Sequence, residues 1–205
     1  MIDKNTIIEV ATDLFLKNGV KTVTLDRITR ELHTSKRTIY THFSDKTDLL
    51  KSCLNTYHAR VRKENEGVIR NSENAIEAMG HLHQHIVNRA NVTNPNFFND
   101  IIHYYPGMLG ESYHENGNFA HEELVYLANW GIEDGLFVED LDIEVTMKTV
   151  LNLLKLLKDT DQFPLQEFSK TRLTFGIMLP YLRGICTKKG IQILEMQKEL
   201  FYVTL

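Results

Sequence analysis

The sequence predicts an all-α protein, with a three-helix domain at residues 1–48 and a larger helical domain over residues 49–205. Three observations carry this. Apolar residues recur at three- and four-residue spacing from Ile7 to Phe201. Ser, Thr, Asn or Asp stand in front of several of these stretches as N-caps. Gly and Pro fall between them, as in Gly19, Pro106-Gly107 and Asp134-Gly135, where they stop helices.

Residues 5–18 form the first helix, with Ile7, Ile8, Ala11, Leu14 and Phe15 on one face. Asn18-Gly19 ends it, because glycine readily takes the left-handed conformation just past a helix. Thr24 caps a second helix, on which Leu25, Ile28 and Leu32 recur at helical spacing and Asp26 places an acid where the helix dipole favours it. His33-Thr34 interrupts the pattern, Ser35 caps a new helix, and Ile39 and Phe43 form an apolar pair one turn apart. Two short helices around a tight turn are helix-turn-helix punctuation.

The third helix leaves Ser35, Lys36, Arg37, Thr38, Tyr40, Thr41 and His42 outward, all of them hydrogen-bond donors, and nothing acidic occurs between Leu32 and Ser44. Phosphate oxygens take such donors, and Lys and Arg near a helix N-terminus reach the acceptors of guanine in the major groove. A solvated face on an isolated basic helix has the same composition. The order of the whole stretch decides between them.

That order resembles the DNA-binding domain of the TetR (tetracycline-repressor-like) family of bacterial regulators over roughly the first fifty residues. The matching parts are Ile8, Ala11 and Leu14-Phe15, Gly19, Thr24 and Ile28, then Ser35-Lys36, Thr38-Ile39-Tyr40, His42-Phe43, Lys46 and Leu49-Leu50. The resemblance implies that Thr24, Arg27, Ser35, Tyr40, His42 and Lys46 hold phosphates, while Lys36, Arg37, Thr38 and Thr41 face base edges. Two positions depart from the family: His33 stands where Gly is usual, and Thr34 where a small apolar residue is usual. A turn needing positive φ is easiest for Gly, although His is among the less penalised substitutes.

A fourth helix starts at Ser44 or Asp45 and carries Leu49, Leu50, Cys53, Leu54 and Tyr57, so that its stripe serves both domains. Cys53 is expected as a small core residue rather than a thiol sensor. The polar run over residues 60–74 breaks at Gly67 and Asn71-Ser72. Residues 74–90 form the next helix, with Ile76, Met79, Leu82, His83, Ile86 and Val87 apolar or inward. His81 and His85 lie one turn apart on it. That is a metal-ligand spacing, but Leu82 stands where a catalytic Glu would be and no further ligand completes a set, so a polar face is expected and no metal.

Pro95 opens a short helix that Pro106-Gly107 closes. Phe97, Phe98, Ile101, His103, Tyr104 and Tyr105, with Met108 and Tyr113 beyond, crowd aromatic bulk beside Gly107, Gly110 and Gly117. A loosely held connection with aromatic walls is the expected ligand site, core packing being the alternative. Residues 119–134 return to helix, and Phe137 folds back on its last turn. The stretch WGIEDGLF at residues 130–137 resembles the connection before the last two core helices of many TetR-family proteins.

The helix expected over residues 143–159 wraps apolar residues around about two-thirds of its circumference, more than one core uses. The helix expected over 165–185 sets Gly176, Pro180 and Gly184 on one face, where another backbone can come close, and bends near Pro180. Met147, Leu151, Leu154, Gly176, Pro180 and Gly184 are therefore the expected homodimer contacts. A last amphipathic helix carries Ile191, Leu194, Leu200 and Phe201.

With 205 residues, 42% hydrophobic and 24% charged, the composition is that of a soluble globular chain. The net charge of −4 excludes wholesale attraction to nucleic acid and leaves any DNA contact to local cations. Two distant cysteines make no disulfide framework, and the absence of a secretory signal or long apolar span points to a reducing cytoplasm and no membrane. No cofactor motif and no catalytic constellation is found, so an enzyme is not expected. The resemblance implies a regulator of transcription, most often a repressor released by a small-molecule effector, acting as a homodimer on a palindromic double-stranded operator. The alternatives are a DNA binder that needs no ligand and, more distantly, a histidine-based metal-dependent enzyme.

Overall fold

The structure is a computed structural model that describes residues 2–115, 119–157, 161–164 and 166–202, the side chains of 113–115 excepted. Gly117, Asp159 and Leu165 lie outside the described residues. The elements are α1 (Lys4–Asn18), α2 (Leu25–Glu31), α3 (Lys36–Tyr40), α4 (Lys46–Asn71), α5 (Ala75–Val92), α6 (Asn96–Tyr104), α7 (Met108–Glu115), α8 (Phe119–Glu133) and α9 (Ile143–Leu156). They continue with α10 (Lys170–Leu173), a π-helical turn (Thr174–Met178), α11 (Leu179–Ile185), α12 (Lys188–Met196) and a 3₁₀ turn (Lys198–Phe201). The protein is all-α. Among the described residues the extended pairing is one isolated antiparallel bridge, between Phe137 and Cys186.

Side-chain caps set where the helices begin. The Asp3 carboxylate accepts from Thr6 N at 2.9 Å and starts α1. Asp45 accepts from Thr47 N and Asp48 N at 2.7 and 2.9 Å, while Asp48 reaches back to Ser44 N at 3.0 Å. The arrangement repeats at α5, where Asn74 accepts from Glu77 N and Glu77 reaches back to Glu73 N. In each case the side chain just before the helix satisfies main-chain donors that the helix itself leaves open, and at α4 and α5 a first-turn carboxylate reaches back to the chain before it.

The chain divides into two compact units, Met1–Glu64 with Asn88–Asn118 and Asn65–Val87 with Phe119–Leu205. Packing thus divides the chain differently from the expected boundary at residue 48. The reason is apolar: Phe97, Ile101 and Met108, from α6 and α7, are buried in one cluster with Ile7, Ala11 and Phe15 of α1, Ile28 of α2, Ile39 of α3 and Leu49, Leu50 and Leu54 of α4. Of the expected loose connection, Gly107 stands in a turn at φ 89°, while Gly110 is helical within α7, whose Met108 is buried. The helix α4 also runs on through Gly67 and stops at Asn71.

In the second unit Ala75, Ile76, Leu136, Phe137, Leu179, Leu182, Leu194 and Phe201 form one core cluster, and Ala128, Met147, Val150 and Met178 another. Gly131 sets how the chain leaves α8. Its carbonyl accepts from both Leu136 N and Phe137 N at 2.7 and 3.0 Å, and the Phe137 ring occupies the space where a Cβ would stand. The helix expected from residue 165 begins at Lys170, behind the Ser169 cap. Pro180 has no N–H to give Gly176, and the chain adapts by widening: Leu179 N donates to Thr174 O, five residues back. The last expected helix divides into α12 and the 3₁₀ turn, with Leu194 and Phe201 buried and Ile191 exposed.

A methyl group at Gly131 meets the Phe137 ring below contact distance, whereas Gly67 has nothing within 4 Å of an added Cβ. Gly131→Ala is therefore expected to lower stability by about 1–3 kcal/mol. Gly67→Ala, in the middle of a helix, is expected to raise it by up to about 1 kcal/mol. Urea unfolding of both variants measures this, and equal midpoints would contradict the packing at α8.

Candidate nucleic-acid interface

The two helices of the motif are joined by a main-chain lock. His33 N donates to Arg30 O at 3.2 Å and Thr34 N to Thr29 O at 2.9 Å, while His33 sits at φ 48°. This is the double closure that ends a helix in a left-handed residue, with histidine in the place where glycine is easiest. Thr24 caps α2 by accepting from Arg27 N at 3.3 Å. Ser35 caps α3 by accepting from Thr38 N at 3.2 Å. Ile39 and Phe43 are buried beneath α3. Ser35, Lys36, Arg37, Tyr40 and Thr41 are consequently exposed on the opposite side, with Tyr40 at 53% exposure, and Thr38 and His42 are half-buried at its margin.

Three predicted contacts have partners that the sequence does not reveal. Arg27 is half-buried and its Nη2 donates to Asn18 Oδ1 at 2.7 Å, so its guanidinium braces the end of α1. Lys46 Nζ donates to Val20 O at 2.6 Å and stands 5.7 Å from the Phe15 ring centre. Burial holds its pKa below the ordinary lysine value, against the opposing pull of the Asp100 carboxylate. Lys36 Nζ lies 2.9 Å from Asp26 Oδ1 on α2. Although α3 has no acid of its own, folding brings one to it.

The turn between α1 and α2 is held from two further sides. Lys21 N donates to Asp100 Oδ2 of α6 at 2.7 Å, and the Lys21 ammonium lies 5.3 Å from the Tyr104 ring. Asn94 N donates to Leu16 O at 2.7 Å and Asn94 Nδ2 to Lys17 O at 3.3 Å, closing carbonyls at the end of α1.

The expected ligand-binding residues divide among three surroundings. Phe97, Ile101 and Met108 are buried in the first unit's core, with Phe98 and Tyr105 packed against it. These five contribute to that core, the packing that the sequence offers as the alternative to a ligand site. His103 and Tyr104 are exposed and pair edge to face with ring centres 4.6 Å apart. The side chain of Tyr113 lies outside those described. Of the expected dimer residues, Met147 is fully buried in its own unit, which corrects its assignment. Leu151 and Leu154 are half-buried, and Gly176, Pro180 and Gly184 are exposed, with open space where a Cβ at either glycine would stand. His81 Nε2 lies 3.7 Å from Glu77 Oε1.

Sequence reading missed a buried polar cluster in the first unit. Ser112 Oγ donates to Asn55 Oδ1 at 2.7 Å, so its oxygen faces His58 Nδ1 at 2.9 Å as an acceptor and Nδ1 carries the proton. Burial holds the His58 pKa below its ordinary value. In the second unit His83, beside Thr174 Oγ1 at 3.3 Å, is lowered for the same reason. No periodicity distinguishes these histidines from other inward positions. Cys53 is buried, its thiol pushed up to about 12 by desolvation, and Cys186 to about 11, which leaves both as thiols at neutral pH.

Comparison with known proteins converges on the same region. Residues 7–53 match the family described as bacterial regulatory proteins, tetR family. An HTH-type transcriptional regulator, HbdR of Aromatoleum sp. (strain CIB), is 38% identical over 69 residues; the match spans 32% of this chain and 30% of that protein's length. A TetR-family regulator from Cytophaga hutchinsonii superposes with a TM-score of 0.72 at 16% identity, over 92% of this chain and 99% of the other. The regulator FadR from Bacillus subtilis, solved in complex with stearoyl-CoA, superposes with a TM-score of 0.64 at 19% identity, over 89% and 100%. At these identities the superpositions show the fold alone.

Two outcomes follow from this geometry. His33→Gly is expected to leave stability unchanged or raise it by up to about 1 kcal/mol, whereas His33→Val is expected to cost about 1–2 kcal/mol, because a β-branched residue is strained at φ 48°. Thermal melts of the two variants compare them. Histidines held below 6.5 in the folded state gain protons on unfolding, so stability is fully present above about pH 6.5 and falls as the pH drops toward the folded values. Denaturant unfolding between pH 7.5 and 5 is expected to show that loss, and to show less of it in His58→Gln; an equal loss in both would remove His58 from the account.

Proposed function

The chain carries a tetR-family domain at residues 7–53, and on that premise we propose that it is a sequence-specific DNA-binding regulator of transcription that works as a homodimer. The observation that carries the proposal is the exposed face of α3, a row of donors fixed by the His33 lock and by Ile39 and Phe43 beneath. Arg37 and Lys36, at the helix N-terminus, reach guanine O6 and N7, with Thr38 and Thr41 on neighbouring base edges. Thr24, Ser35, Tyr40 and His42 hold phosphates around them, and Arg27 and Lys46 serve chiefly as struts. Residues 1–48 do the reading, and the helical remainder carries dimerisation and response to an effector.

The homodimer forms through α9 and the run from α10 to α11. Gly176 and Gly184 support this, being exposed with open space above them. A two-fold dimer reads two half-sites of a palindrome about one helical turn apart, or a multiple of it. The effector is a small molecule whose candidate contacts lie between residues 97 and 113, namely Phe97, Phe98, Ile101, His103, Tyr104, Tyr105, Met108 and Tyr113, and it acts on DNA through α4. That FadR, of the same fold, was solved in complex with stearoyl-CoA supports a fold able to hold a ligand. The burial of Phe97, Ile101 and Met108 in the first unit's core favours a second reading, in which the chain binds DNA without a ligand. Either way the activity is binding rather than catalysis, the sign most often repression, and the place of action the cytoplasm, where DNA is within reach. No helix among the described residues is long and apolar enough to cross a membrane.

Selection of bound duplexes from a random pool is expected to return a palindrome, with affinity falling steeply as salt rises. Arg37→Ala is expected to lose about 1–3 kcal/mol of discrimination at one base pair of each half-site, whereas Tyr40→Phe weakens all duplexes alike. Arg27→Ala is expected to change stability more than base preference. A protein that selects no sequence, or whose Arg37→Ala variant keeps full preference, does not read DNA this way. Calorimetry of candidate apolar ligands with and without the selected duplex separates effector control from ligand-independent binding, since linkage requires a true effector to bind the two forms differently.

A further inference from the structure

We propose that Asp26 is a specificity-determining residue of the DNA-reading surface, acting as a filter on Lys36. The inference rests on the DNA-binding reading above and concerns a residue to which that reading gives no role. Asp26 Oδ1 and Lys36 Nζ are 2.9 Å apart, joining the first turn of α2 to the first turn of α3. Both side chains are open to solvent, at 66% and 48% exposure, so the pair is not part of the core, and Lys36 stands on the face of α3 that the reading above gives to DNA.

The number of donors on an ammonium decides what the pair does. Lys36 has three N–H groups. With one on Asp26, two remain, which suffice for the O6 and N7 of one guanine, so base reading leaves the pair intact. A backbone phosphate asks for the ammonium as a point charge. Beside Asp26 the Lys36 ammonium brings no net charge to a phosphate: with the pair intact the carboxylate offsets the charge, and with the pair open that carboxylate stands unneutralised beside the polyanion. Non-specific binding, which is almost wholly a phosphate affair, gains little from Lys36 under those terms. Asp26 therefore withholds a cation from wrong sequences while holding it in place for the right one, and raises the ratio of specific to non-specific affinity by repelling the alternative. The remaining cation at the N-terminus of α3, Arg37, is left to contribute to both modes.

The test uses the full-length protein, the duplex selected by the wild type and a scrambled duplex, each titrated over a series of salt concentrations. The variants are Asp26→Asn, Lys36→Gln and the two combined, with thermal melts to establish that each is folded. Asp26→Asn is expected to tighten the scrambled duplex about two- to fivefold, the range of an exposed ion pair, without tightening the selected one equally. It should also steepen the salt dependence on the scrambled duplex by about 0.9 in log–log slope, the share of one added phosphate contact. In the Lys36→Gln background both effects should disappear. The proposal is overturned if Asp26→Asn shifts both duplexes by the same factor, or if its effect persists without Lys36, which would make it a general charge effect. A wild type that selects no duplex overturns the DNA-binding reading and this inference together, and the first titration alone reveals that case.

Discussion

The peptide group between Val20 and Lys21 is the constraint on which the first unit depends. Its carbonyl takes the Lys46 ammonium at 2.6 Å and its N–H goes to the Asp100 carboxylate at 2.7 Å. One residue from the start of α4 and one from α6 thus grip the turn between α1 and α2 from opposite ends of a single amide. The turn fixes where α2 begins, α2 and the His33 lock fix α3, and α3 carries the face that would meet a base pair. Charge-assisted hydrogen bonds to main-chain groups suit this task, being stronger than neutral ones and directed at atoms whose position is set by the backbone.

Seen from that turn, the membership of α6 in the first unit has a physical cause. Phe97 and Ile101 supply apolar area to the core shared by α1 and α4, while Asp100 and Asn94 supply polar closure for main-chain groups at the end of α1. An apolar face alone would allow the helix to slide. The hydrogen bonds fix its register, because each has one partner atom and a short permitted range. The same division of labour appears in the second unit, where the Phe137 ring fills the space beside Gly131 while two N–H groups converge on the Gly131 carbonyl.

The cations of the reading surface differ in how they are held. Arg27 and Lys46 are half-buried and committed to an amide oxygen and a main-chain carbonyl. Lys36 is exposed and paired with a carboxylate, and Arg37 is exposed on the helix beside it. A list of basic residues treats all four alike. Their environments divide them into struts and readers, because a cation that holds the fold cannot leave its partner without cost, whereas an exposed ion pair is worth little and exchanges readily.

The sequence by itself determined the all-α class, the caps at Thr24 and Ser35, the stop at Gly19, the interruption at His33 and the inward pair Ile39 and Phe43. Each of these is a local matter, decided by residues within one or two turns of each other, and local rules of spacing and capping carry it. The sequence also named the outward donors of α3, since what a helix buries on one face it exposes on the other. Only the tertiary structure decided that Asp26 reaches Lys36, that Arg27 turns to Asn18, that Met147 is spent on its own core, and that Phe97 and Ile101 of α6 are buried in one cluster with α1. Those outcomes depend on partners from 9 to about 90 positions away (Asn18 with Arg27, and Ile7 or Ala11 with Phe97 and Ile101), and the periodicity of one helix says which side is apolar but not what will cover it.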